Sequence, residues 1–241
     1  MRPTFPLSSA ARPALLASVA DLEEADTALA LGAEVLDLKD PHEGALGAWA
    51  PERLETAVAR FRGRVPLSAT TGDLPMDPAC LYAAAERIAA TGVDVVKIGL
   101  FTNEGRAEVL KRLQLLATHG VGLVAVLMAD RDPDLVDLSP FAEAGFAGVM
   151  LDTADKRGGG LRVHLDEARI ARFVQEAHRV GLLCGLAGSL RLGDITPLAR
   201  LGPDYLGFRG ALCGRDRTDR IDPRAFRRIR VALDAACAEA A

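Results

Sequence analysis

No CxxC pair occurs in the chain: its cysteines, Cys80, Cys184, Cys213 and Cys237, lie far apart, which excludes a zinc ribbon and a disulfide framework. That pattern fits reduced thiols in a cytoplasmic protein. No dense block of Lys and Arg is present and the net charge is −4, so a nucleic-acid partner, which selects clustered cations, is not expected. RFRGR at 60–64 and RAFRRIR at 224–230 read as solvated helix faces. No apolar run approaches the roughly 18–20 residues of a membrane span, and residues 1–20 lack an unbroken signal-peptide core. The four histidines show no metal-ligand spacing. No linker or low-complexity tract divides the chain.

What the chain does have is alternation. Of its 241 residues 49% are hydrophobic, enough for one large core. Residues 1–13 read as a loose N-terminal extension, and from residue 14 to 241 short apolar runs alternate with segments of helical period. The strand candidates are 15–19, 34–39, 65–70, 94–99, 122–128, 146–152, 182–188 and 204–210. Asp21, Asp77 and Ser139 are placed as N-caps, and Gly32, Gly63, Gly92, Gly120, Gly145, Gly181 and Gly202 as helix stops. Eight such units in this length predict an α/β fold, a single (β/α)8 barrel. A doubly wound sheet is the alternative, but no GxGxxG follows the first strand.

A barrel of this kind carries its chemistry where the strands end. Strand two ends with Asp37 and Lys39, which alternate by two and point the same way. Strand three offers Ser68 and Thr70, then Asp73; strand four offers Lys97; strand six offers Asp152, then Lys156. A lysine on a buried strand is unfavourable unless something compensates it, and two in similar segments point to one shared site. A neutral amine attacks a carbonyl to give a Schiff base, and burial beside a second cation favours the neutral form. One of Lys39 and Lys97 would be the nucleophile and the other a proton carrier, with Asp37 and Asp152 orienting the amines. Two structural Lys–Asp ion pairs closing the core are the bland alternative. The loops at 187–190 and 208–212 place Gly188, Ser189 and Gly210 where backbone N–H groups can approach a phosphate, with Arg209 adding a charged contact. KRGGGL at 156–161 reads equally as a lid or a plain connector, and Trp49 as packing. His42 follows the Lys39 strand, within reach of substrate.

Six ordered motifs, LDLKDPHEGALGA (36–48), LSATTGD (67–73), VKIGL (96–100), MLDTADKRGG (150–159), GLAGSL (185–190) and GFRGALC (207–213), make the chain resemble the (5-formylfuran-3-yl)methyl phosphate synthases. The resemblance implies a barrel that joins two molecules of glyceraldehyde 3-phosphate with loss of phosphate and water, for biosynthesis of methanofuran-type one-carbon carriers. It implies Lys39 as the Schiff-base lysine, Lys97 as the proton-transferring one, and Asp37, Asp152 and Lys156 as assisting groups. Ser68, Thr70, Asp73, Gly188, Ser189, Arg209 and Gly210 become candidate substrate and phosphate contacts. No metal or organic cofactor is implied; the partner is a small phosphorylated triose, with neither nucleic acid nor membrane, and homo-oligomerisation stays open. The chain departs from archaeal members at His42 and in CGRDRTDR (213–220), which replaces a more glycine-rich stretch. Two other readings stand beside this one. The D-x-K of Asp37–Lys39 is similar to decarboxylase barrels in which lysine is a general acid without an imine, although their second Asp is His42 here. A non-catalytic phosphometabolite-binding barrel is the third.

Overall fold

The computed structural model describes residues 12–238, the side chains of 237 and 238 excepted. Its strands are β1 (Ala14–Val19), β2 (Val35–Leu38), β3 (Leu67–Thr70), β4 (Val95–Leu100), β5 (Gly122–Met128), β6 (Gly148–Asp152), β7 (Leu183–Leu186) and β8 (Tyr205–Phe208). They pair in sequence order and β8 returns to β1, so the sheet closes as a parallel barrel. Around it run α1 (Leu22–Ala30), α2 (Pro51–Phe61), α3 (Pro78–Ala90), α4 (Arg106–Thr118), α5 (Ser139–Glu143), α6 (Leu161–His164), α7 (Glu167–Arg179), α8 (Ile195–Ala199) and α9 (Pro223–Ala238). All eight expected strands form, each within two residues of its expected ends.

Helix punctuation follows the local chemistry. Asp21 and Asp77 cap α1 and α3 by accepting the N–H of Glu24 and Cys80. Ser139 does not cap: it is the first residue of α5, and Asp137 accepts its N–H at 2.9 Å. The seven helix-stopping glycines all have φ between +73° and +92°, a region a side chain disfavours. The short α6 was not expected as a helix; it grows from the end of KRGGGL, where Leu161 is fully buried.

Because side chains alternate along a strand, each strand feeds two cores. Leu15, Ala17, Leu36, Leu38, Val96 and Ile98 face outward into the layer beneath the helices. Ala14, Leu16, Val35, Val95, Val124, Met150 and Tyr205 face inward and plug the lower barrel. Tyr205 fits only because β7 carries Gly185, whose position a Cβ would share with the tyrosine ring. The same inward phase, continued upward, yields Ser18, Asp37, Lys39, Lys97 and Asp152, so the interior passes from hydrocarbon to ionisable groups along its axis.

Most of the expected N-terminal extension, residues 1–11, lies outside the described residues. Arg12 is bound to the barrel, pairing with Glu34 at 2.8 Å and Asp234 at 3.2 Å. The thiols of Cys80, Cys184 and Cys213 are free, and the Cys237 side chain lies outside the described residues. Among the described residues no helix is long and apolar enough to cross a membrane.

Candidate active site

Strand register builds the deeper half of the site. Asp37 lies opposite Ser18 on β1 and Ser68 on β3, so three polar side chains stand abreast above the apolar plug. The Asp37 carboxylate accepts from Ser18 Oγ at 2.9 Å and from Ser68 Oγ at 2.7 Å. It also pairs with Lys97 Nζ at 3.0 Å. Burial pushes this carboxyl upward, but Lys97 first, then Lys39 and the Ser68 bond, carry it below the ordinary carboxylate value. Each acceptor oxygen has partners, which a fully buried carboxylate needs.

The upper half is less evenly matched. Asp152, the last residue of β6, places Oδ1 2.6 Å from Lys156 Nζ and 2.7 Å from the Thr153 N–H. Its Oδ2 is 3.9 Å from Lys39 Nζ, beyond hydrogen-bond reach. Burial is the main cause that lowers the Lys39 amine, to about 8; Asp152 opposes it and Lys156 adds to it. Lys97, expected as the second cation, acts on Lys39 less than Lys156 does. Burial pushes Asp152 upward, but the lysines 156 and 39 hold it down at about 2.

Two carboxylates shape the loops that carry these lysines. Asp73 accepts the N–H groups of Ala45 and Leu46 at 2.8 and 2.7 Å, folding the loop after Lys39. Asp130, just past β5, accepts the N–H groups of Ala154 and Asp155, both at 2.7 Å, folding the turn that leads to Lys156. Thr70 Oγ1 donates to Gly47 O at 3.0 Å. Ser68, Thr70 and Asp73 therefore brace the site and do not line its cavity. KRGGGL is tied to the β7 loop, the Leu161 N–H donating to Gly188 O at 2.9 Å.

The cavity, about 630 Å³, opens at the C-terminal mouth of the barrel and is lined by Lys39, Lys97, Asp152 and Lys156 on one side. Gly188, Ser189, Gly210 and Ala211 line another part of it. Among the described residues the N–H groups of these four have no hydrogen-bond acceptor. Gly188 and Ser189 take positive φ, +98° and +50°, a turn conformation of the kind that presents successive N–H groups to an anion. Arg209 lines the cavity too, but its guanidinium is engaged elsewhere: it pairs with Glu24 and donates to Ser18 O, Arg217 O and Asp219 O. The expected direct phosphate contact by Arg209 is thus corrected to a framing role, because every face of the fork already has an acceptor. His42 is exposed and does not line the cavity. Trp49 packs as expected, 2% exposed with Arg53 over its ring.

Sequence reasoning missed Ser18, Glu24, Asp130 and Arg217. Ser18 has a legible signal, since it stands two residues past inward-facing Leu16; the others depend on chain segments meeting in space. A second concavity of about 610 Å³ lies between residues 134–136 and α7, but it contains none of the buried ionisable groups. Among the described residues no three His, Cys, Asp or Glu side chains gather in a metal-ligating group.

Comparison with known proteins follows the same lines. Solved barrels superpose on nearly the whole chain: phosphoribosyl anthranilate isomerase from Thermus thermophilus has a TM-score of 0.63 at 16% identity, covering 92% of this chain and 98% of its own. 3-Keto-L-gulonate-6-phosphate decarboxylase from Vibrio cholerae has a TM-score of 0.64 at 11% identity, covering 93% and 98%. Such identities speak for the fold alone. A Methylorubrum extorquens protein provisionally named (5-formylfuran-3-yl)methyl phosphate synthase is 44% identical over 89% of both chains. The (5-formylfuran-3-yl)methyl phosphate synthase of Methanocaldococcus jannaschii is 36% identical over 86% of this chain and 94% of its own. With the 4-HFC-P synthase sequence model matching residues 15–230 as well, the chain belongs to the 4-HFC-P synthase family.

Proposed function

We propose that this protein is a lyase that condenses two molecules of glyceraldehyde 3-phosphate into (5-formylfuran-3-yl)methyl phosphate, through a Schiff base on Lys39. The observation that carries this reading is the Lys39 amine itself: it faces the cavity, it is lowered to about 8, and its carboxylate neighbour is 3.9 Å away. An amine so placed is partly neutral near neutral pH and free to attack a carbonyl. Asp152 is then ready to hold the positive iminium that replaces the ammonium.

In this mechanism Lys39 Nζ adds to the aldehyde carbon of one triose, and water leaves to give the iminium. The iminium draws electrons from the neighbouring C–H bond, whose proton passes to a base. Lys97 shuttles such protons, with Asp37 retaining its charge by the bonds from Ser18 and Ser68. The resulting enamine expels the phosphate from its own C3, and the C3 carbon, now nucleophilic, bonds to the C2 carbonyl of the second triose, isomerised to its ketone form. Ring closure, loss of water and release of the amine complete the furan, and the second triose keeps its phosphate. Two trioses thereby give the furan phosphate, one inorganic phosphate and two molecules of water. The retained phosphate sits on the free N–H groups of residues 188–189 and 210–211.

Borohydride added with glyceraldehyde 3-phosphate is expected to leave a reduced adduct on Lys39, seen by intact mass and peptide mapping, and Lys39→Arg to leave none. Furan absorbance and phosphate release should rise together without the borohydride. Wild-type protein that gains no adduct and makes no furan overturns the proposal. Carbon dioxide released from a sugar-acid phosphate, with no adduct, would select the lysine-as-acid alternative.

A further inference from the structure

The cavity contains more positive charge than the chemistry above uses. Eight of its lining residues are basic and two are acidic, in a chain whose net charge is −4. Lys97, Lys156 and Arg209 have carboxylate partners in Asp37, Asp152 and Glu24. Arg157, Arg191, Arg215 and Arg217 also line it, and among the described residues none of these four forms an ion pair. Arg217 is the least solvated of them, with intermediate exposure where the other three are exposed.

Arg217 is also the best anchored. Its guanidinium donates to Pro41 O at 2.9 Å and Gly44 O at 3.1 Å, in the loop that follows Lys39. Burial lowers it, and the carboxylates that act on it do so without contact. A half-buried cation whose partners are two carbonyls retains charge that an anion would neutralise. The segment that carries it is built, not loose. Cys213 and Ile221 pair across its base, Arg209 donates to the carbonyls of Arg217 and Asp219, and Asp219 accepts the N–H groups of Arg215 and Asp216. Arg209 thus serves as the frame of a hairpin whose arginines reach the cavity.

Resting on the proposed condensation, we infer that Arg217 and Arg215 form a second phosphate subsite, distinct from the backbone cradle, that holds the phosphate expelled during turnover. The condensation itself demands two places, because one phosphate ester survives the turnover and the other does not. In the expulsion a base removes a proton from the carbon beside the ester-bearing carbon, and that C–H pair becomes the new C=C bond. The C–O bond breaks with its electrons on oxygen, and inorganic phosphate leaves carrying the charge that the two guanidinium groups neutralise. The cradle offers neutral N–H donors, suited to an ester that stays.

Two measurements separate this inference from the reading it rests on. Equilibrium dialysis of the whole chain against radiolabelled inorganic phosphate needs no turnover: two equivalents per wild-type chain and one in Arg217→Gln are expected. The same number in both proteins overturns the subsite even if the condensation is real. In turnover, Arg217→Gln should lower phosphate release at least tenfold while borohydride still traps Lys39 at the wild-type rate. Equal loss of trapping and release at saturating triose would instead assign Arg217 to forming the imine and overturn its assignment to the leaving phosphate. Arg215→Gln, at an exposed residue without a side-chain hydrogen bond among the described residues, guards against misfolding and should lower phosphate release about threefold with trapping intact; no change there would also count against the pair. Wild-type protein that is never trapped overturns the condensation alone, leaving the dialysis to decide the subsite.

Discussion

Two buried lysines stand in one cavity and are held in opposite ways. Lys97 has a carboxylate to itself at 3.0 Å, and that carboxylate is steadied by two serines on the flanking strands. Lys39 shares Asp152 with Lys156, and Lys156 has the shorter contact, 2.6 Å against 3.9 Å. The first arrangement pairs an amine with a carboxylate of its own. The second leaves an amine underpaired, and burial then favours its neutral form. Equal burial therefore leaves one amine paired and the other underpaired, a difference that lies in the neighbours and on which the proposed division into proton carrier and nucleophile rests.

The contrast breaks most visibly at Asp37. Asp37→Ala strands Lys97 without a counter-ion and should lower stability by about 3–5 kcal/mol, read as a drop in the urea midpoint. Asp152 gives a smaller and pH-dependent effect. Its carboxyl is lowered from 3.8 to about 2, so its contribution is complete above the unfolded value and fades as pH falls through the folded one. Wild type should lose about 2 kcal/mol over that window that Asp152→Asn does not lose, measured by acid unfolding.

At Lys39 the sign reverses. Because Lys39 is lowered to about 8 from 10.5, the unfolded chain binds the extra proton between those values, and this site adds stability as pH rises from 8 to 10.5. Adduct formation should climb with a midpoint near 8 in the same protein. Lys156→Met removes a neighbouring cation and frees Asp152 for Lys39, so the midpoint should move to higher pH; a midpoint that stays or falls would dissolve the contrast. Least of all, Asp73→Asn removes one charged acceptor beneath the Lys39 loop and should cost about 1 kcal/mol, with the adduct midpoint unmoved.

Much of this was legible in the chain because it is local. Asp37 and Lys39 share a phase that period-two geometry alone dictates, and the glycine at each helix end marks where a left-handed residue must stand. Arg209 was misread for the converse reason. Its position after β8 suits a phosphate contact, but Glu24, far away in sequence, meets it only when β8 closes on β1. Asp73 likewise stood among the expected substrate contacts at the end of β3, but the loop from β2 folds down onto its carboxylate. Arg217 drew no notice in CGRDRTDR, since nothing within that stretch says that its guanidinium reaches the loop after Lys39.

By itself the sequence determined an eight-fold alternation of strand and helix and which residues stand at the strand ends, because strand phase, caps and stops each depend on a few adjacent residues. Only the tertiary structure decided which carboxylate each amine meets and which arginines remain unpaired. Those pairings follow from register between strands and from closure of the barrel, and both are set by packing across the whole chain.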